Sequence, residues 1–213
     1  SFGPINPNGA NFRSLPPSTE PRRYFPRLSR VAQGDLTQTN PLTGGAWESV
    51  SDIERTLSFA CTVRDNAEGG GQVVSDVLDV MVIKAAGPFV VTSQAANEVY
   101  QAGSVQEINW DVANTDIVPI EAQNVDVLLS LDGGLTFPIT LLEDTPNDGS
   151  EEMLLPGNVT GTARIMVKAS DNIFFAVNST DFTIEESEVV LNFESLDYEV
   201  CQPDDLVIPF VYE

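Results

Sequence analysis

The chain has 213 residues, 42% of them hydrophobic, with 14 prolines, 15 glycines, no histidine and a formal net charge of −22. The missing histidine excludes imidazole acid/base chemistry, Ser-His-Asp and Cys-His nucleophiles, and every zinc site built on imidazole. So acidic a body repels a phosphate backbone, which argues against nucleic acid as a partner, and no apolar run is long enough for a membrane helix.

Residues 1–30 run against the bulk charge, holding Arg13, Arg22, Arg23, Arg27 and Arg30 against the single acid Glu20. This stretch, "SFGPINPNGANFRSLPPSTEPRRYFPRL", is dense in Pro, Gly and Asn. It is predicted to lie extended over a surface with little regular structure, its arginines resting on the chain's own acidic surface. A second loop, "LTQTNPLTGGAW", ends at Trp47, which is expected to anchor it. From Arg55 the pattern becomes regular. Leu57, Phe59, Cys61 and Val63 alternate with Thr56, Ser58, Ala60 and Thr62, as a half-buried strand does. The turn "RDNAEGGGQ" and the run "VVSDVLDVMVI" complete a predicted hairpin. Cys61 is read as a buried thiol, and pairing it with Cys201 would require separate modules to fold against each other.

"AAGP" at 85–88 reads as a linker. Beyond it come seven predicted strands: "PFVVTS", "VQEINWDV", "NVDVLLSL", "TFPITLLE", "SEEMLLP", "GTARIMVKAS" and "DFTIEE". The inward sets are Ile108, Trp110 and Val112; Val125, Val127 and Leu129; and Ala163, Ile165 and Val167. Fold class is therefore all-β, read as tandem immunoglobulin- or fibronectin III-like sandwich modules with the first and last incomplete. The expected divisions are 1–87, a partial module with an extended arm; 88–186, a complete sandwich; and 187–213, the opening strands of a further module cut off at Glu213.

"SLDGGLTF" at 130–137 matches the Asp-box pattern Ser-x-Asp-x-Gly-x-Thr-aromatic and resembles the repeated turn of sialidase-like β-propellers. Propellers carry it blade after blade, whereas this chain carries it once. Its residues Ser130, Asp132, Gly133, Gly134, Thr136 and Phe137 are accordingly read as a hairpin turn with no catalytic role, Thr136 and Phe137 opening the return strand. Among the carboxylates no EF-hand spacing occurs. Calcium is the one metal left open, at Asp65, Asn66 and Asp76 beside the linker, with solvated acids as the alternative reading. The sequons at Asn158 and Asn178 carry no weight.

Several phrases together, among them "FRSLPPSTEPRRYFPRLSRV", "RTLSFACTVRDNAEGGGQVVSDVLDVMVI", "AGPFVVTSQ" and "ARIMVKASDNIFFAVNSTDFTI", resemble the region that follows the catalytic domain in large secreted bacterial reprolysin-like zinc metallopeptidases. The resemblance implies a non-catalytic accessory or spacer fragment, with zinc confined to a catalytic domain this sequence does not contain. It also implies a secreted or cell-surface location, neighbouring domains of the same protein as partners, and Ser1 falling inside a module. The alternative is a sandwich that binds carbohydrate or a surface, stacking Tyr24, Phe25, Trp47 or Tyr100 on sugar faces. A protein or polysaccharide substrate is a further expected contact under either reading.

Overall fold

In a computed structural model, residues 3–38 and 48–187 are described in full, together with the strands 191–193 and 210–212. The chain is all-β, as its alternating pattern requires. The one helix among the described residues, α1 (Leu28–Val31), is a single turn within the arm, a piece of regular structure that the Pro-rich composition conceals.

β1 (Arg55–Arg64) and β2 (Val73–Val82) form the expected hairpin, a two-stranded antiparallel sheet. Directly paired residues share a face, and the register puts Leu57 opposite Val80, Phe59 opposite Leu78, Cys61 opposite Asp76 and Val63 opposite Val74. That face is apolar. The other is more polar, with Ser58 bonded to Asp79 (2.6 Å) and Thr62 to Ser75 (2.8 Å). Among the described residues, only the base of the apolar face is covered. Leu57 is buried, and Phe12 and Phe25 of the arm meet the Phe59 ring at 6.0 and 4.7 Å. Farther out, Val63, Val74 and Leu78 are 63%, 67% and 61% exposed, and Cys61 is a free, exposed thiol. The expectation that Cys61 is buried is corrected here: alternation gives the correct face, but among the described residues no layer packs on its outer half. Since a side chain so exposed contributes little to packing, Leu78→Lys is expected to change the unfolding free energy by no more than about 0.5 kcal/mol in urea titration.

The sandwich begins at β3 (Val90–Val91) and ends with β11 (Phe182–Glu185). β3, β5 (Val105–Asp111) and β8 (Ser150–Leu154) make a three-stranded sheet. The facing sheet runs β4 (Val99–Gln101), β11, β9 (Thr160–Ala169), β6 (Asn124–Ser130) and β7 (Ile139–Pro146), with β10 (Phe175–Val177) also on β9. The core between them is closed by Val91, Ile108, Trp110, Met153 and Leu155 from one sheet, and by Val125, Val127, Leu129, Ala163, Ile165, Val167, Phe182 and Ile184 from the other. Two residues of each predicted inward set pair across β6 and β9, Val127 with Val167 and Leu129 with Ile165, while Val125 pairs with Ala169 and Ala163 with Phe182 of β11. Val112 lies at the margin, partly buried.

Beyond the seven predicted strands, the sandwich contains β4 and β10, three residues each, too short to show a period of two. In the tail, β12 (Leu191–Phe193) and β13 (Phe210–Tyr212) pair antiparallel. Trp47 and Cys201 lie outside the described residues.

The arm touches both bodies. Arg55 grips it from the hairpin, donating to the carbonyls of Asn6 and Gly9 at 2.7 Å each. Buried Glu48 accepts from the Arg27 backbone N–H (2.8 Å) and pairs with the Arg23 and Arg27 side chains. On the sandwich side, the Tyr24 ring meets Phe175 edge-on at 5.3 Å, and the Arg164 guanidinium donates to the Ala32 carbonyl (3.4 Å). This strap helps explain why Arg164, on the outer face of β9, is buried beside its inward-facing neighbours.

Candidate functional site

Three places were candidates from sequence: the Asp-box turn, the calcium triad and the exposed aromatics. At the Asp-box, β6 ends at Ser130, whose side chain is fully buried. The Ser130 hydroxyl donates to Asp132 Oδ1 (2.7 Å) and accepts the Gly134 N–H (2.9 Å). Asp132 Oδ1 also accepts the Leu135 and Thr136 N–H groups (3.0 and 2.9 Å), while Oδ2 accepts the Thr136 hydroxyl (2.7 Å). Burial alone would raise the Asp132 pKa, but the bonds from Ser130, Thr136 and Leu135 outweigh it and hold the carboxyl below its ordinary value. The side-chain oxygens of Ser130 and Asp132 are thus engaged within the turn itself. Gly134, at φ +84°, lies so close to the arm that an added Cβ would stand 3.4 Å from Ala32 Cβ, so the turn also seats the strap. One detail differs from expectation: the return strand β7 starts at Ile139, leaving Thr136 and half-buried Phe137 in the turn.

The structure does not gather the three expected calcium ligands. Asp65 sits at the hairpin tip, at the far end of β1 from the 85–88 linker, so its expected position beside the linker is corrected. Its Oδ1 accepts the Ala67 and Gln72 N–H groups at 3.1 and 2.9 Å, and a Cβ at Gly71 would approach that oxygen to 2.8 Å, so a larger residue there would displace the carboxylate. Asn66 adopts φ +50° in the turn. Asp76 lies opposite Cys61, its Oδ1 on the Val77 N–H. It stands four residues along β2 from Gln72, about 13 Å from the tip at strand rise. No group of three or more Asp, Glu, Cys or His side chains converges as a metal site among the described residues. The melting temperature is expected to be the same in millimolar calcium and in excess chelator, and a rise with calcium would show that the tip rearranges to bind it.

Trp110, expected to face inward, is buried, with Nε1 donating to Asn147 Oδ1 (2.9 Å); of the aromatics expected to meet sugars, Trp47 lies outside the described residues. Phe25 is packed between Phe12 and Phe59 with the Arg23 guanidinium 4.2 Å above it, and Tyr24 and Tyr100 are half-buried against Phe175 and Phe182.

Sequence reasoning missed the two buried asparagines of the sandwich. Asn147 joins Trp110 to the loop before β6, its Nδ2 donating to Thr115 Oγ1 (3.0 Å) and the Ala122 carbonyl (2.9 Å). Asn178, dismissed with its sequon, donates from Nδ2 to the Gln94 and Thr180 carbonyls at 2.7 Å each and accepts the Ile165 N–H at 2.8 Å. Its amide nitrogen has no room for a glycan in this fold. An open hollow of about 800 Å³ at one end of the sandwich is lined by Asp111, Asp116, Asp148, Asn114 and Gln123 among others. Asp111 caps the Ala113 N–H (2.9 Å) within it. No helix among the described residues is long and apolar enough to cross a membrane. Set against known proteins, the chain matches no family model, and no curated protein matches it.

Proposed function

We propose that this chain is a non-catalytic accessory and spacer fragment of a secreted bacterial reprolysin-like zinc metallopeptidase, built of immunoglobulin- or fibronectin III-like modules divided near residues 87 and 187. The observation that carries the accessory reading is the half-covered hairpin: an apolar face whose base is packed by Phe12 and Phe25 and whose outer half, Val63, Val74 and Leu78, is bare. A face of that kind suits a neighbouring module as its cover. Other features fit the same reading. The chain has no histidine, and the Asp132 carboxylate is consumed by its own turn.

Peptide-bond hydrolysis then belongs to the parent protein. Its gene is expected to encode a His-Glu-x-x-His segment upstream of Ser1. The polypeptide expressed from that gene is expected to cleave casein only when zinc is bound, and residues 1–213 alone to leave casein and chromogenic glycosides intact. An upstream frame lacking that segment, or hydrolysis by residues 1–213 themselves, overturns the proposal.

A further inference from the structure

We infer that Asn8 is a site of spontaneous covalent modification, in which the Gly9 backbone nitrogen attacks the Asn8 side-chain carbonyl carbon. The new N–C bond closes a five-membered imide, the Cγ–Nδ2 bond breaks, and ammonia leaves carrying the amide proton. Water then opens the ring at either carbonyl, giving aspartate or isoaspartate. Water is the only co-reactant.

Three features of the structure single out this position. Asn8, Gly9 and Ala10 are all exposed, so water reaches the ring and ammonia departs freely. Gly9, at φ +88°, has no side chain to obstruct the approach of its nitrogen. Its N–H also donates to no partner among the described residues. The two Asp-Gly pairs of the sandwich, capable of the same ring closure with loss of water, are held differently. At Asp132-Gly133 the attacking nitrogen donates to the Thr162 carbonyl (2.8 Å), and the carboxylate accepts from Ser130, Leu135 and Thr136. At Asp148-Gly149 the Gly149 carbonyl accepts the Trp110 N–H (2.9 Å), and the glycine stands so close to β5 that a Cβ would come within 3.3 Å of the Trp110 carbonyl.

The location gives the reaction a consequence. Arg55 holds the carbonyls of Asn6 and Gly9, which flank Asn8. Isoaspartate lengthens the main chain between those two carbonyls by one carbon, so the guanidinium can no longer meet both in the same geometry. The modification therefore loosens the strap where it enters the hairpin.

The test is to age the purified chain in mildly alkaline buffer and map its peptides by mass spectrometry, labelling isoaspartate with an isoaspartyl methyltransferase. The unmodified peptide containing Asn8 is expected to be lost first, ahead of those containing Asp132 and Asp148, and Asn8→Gln to abolish that loss. Persistence of Asn8 while either Asp-Gly pair isomerises overturns the inference. Amide exchange of the aged protein reads the second step: faster exchange at the base of β1 is expected, and exchange identical to fresh protein overturns the proposed loosening.

Discussion

Asn147→Ala is expected to cost about 3 kcal/mol of folding stability, read from urea unfolding at neutral pH. The substitution removes one side chain but strands several groups. Trp110 Nε1–H loses its acceptor inside the core, and the Ala122 carbonyl and Thr115 hydroxyl lose their donor. A buried polar group left without a partner costs roughly 1–3 kcal/mol, more than the net gain from making the bond. Asn147→Asp discriminates the cause. It preserves the oxygen facing Trp110 but directs a second oxygen at the Ala122 carbonyl, so it is expected to destabilise as well. A loss below about 0.5 kcal/mol for both variants, the scale of an ordinary surface change, would mean that the end of the sandwich does not depend on this asparagine.

Asp132→Ala is expected to cost about 2 kcal/mol, since four accepted hydrogen bonds disappear from a side chain that solvent still partly screens. Its pH dependence follows from the lowered pKa. A carboxyl held below its ordinary value of 3.8 in the folded state contributes stability that is fully present above that value and is lost as pH falls through the folded pKa. The difference between wild type and Asp132→Ala is therefore expected to be constant near neutrality and to shrink in acid. Asp126 acts in the same sense: burial raises its pKa, but bonds from Lys168 (2.5 Å), the Asp144 N–H (3.0 Å) and Ser170 (2.7 Å) bring it down. An Asp132→Ala acid profile parallel to wild type would contradict the assignment.

What could be read from the sequence followed from local periodicity, and what could not depended on distant partners. Ala163, Ile165 and Val167 alternate, which predicts that they face inward, and they are buried. Arg164 was invisible as a buried residue because part of its cover, Ala32, lies 132 positions away. Asn178 reads locally as a loop residue with a sequon, yet its partner carbonyl at Gln94 is 84 positions distant. Cys61 failed for the opposite reason: its strand alternates cleanly, and periodicity reports which face a residue occupies but not whether anything packs on it. Asp65, Asn66 and Asp76 are near in sequence, but the hairpin puts Asp65 and Asn66 at its tip and Asp76 on β2 opposite Cys61. The Asp-box is legible as a turn because its side-chain bonds, from Ser130 to Gly134 and from Asp132 to Leu135 and Thr136, are local, whereas its contacts to Thr162 and Ala32 and the late start of β7 are not.

The bare half of the hairpin carries the central claim, and Cys61 in the middle of that face reports on it. The measurement is the rate at which a thiol reagent labels Cys61 in residues 1–213 and in the polypeptide expressed from the whole gene, each followed by peptide mapping. Fast labelling of the exposed thiol in the shorter chain and strong protection in the longer one are predicted, because a neighbouring module covers Val63, Val74 and Leu78 there. Equal labelling of Cys61 in both would contradict the account.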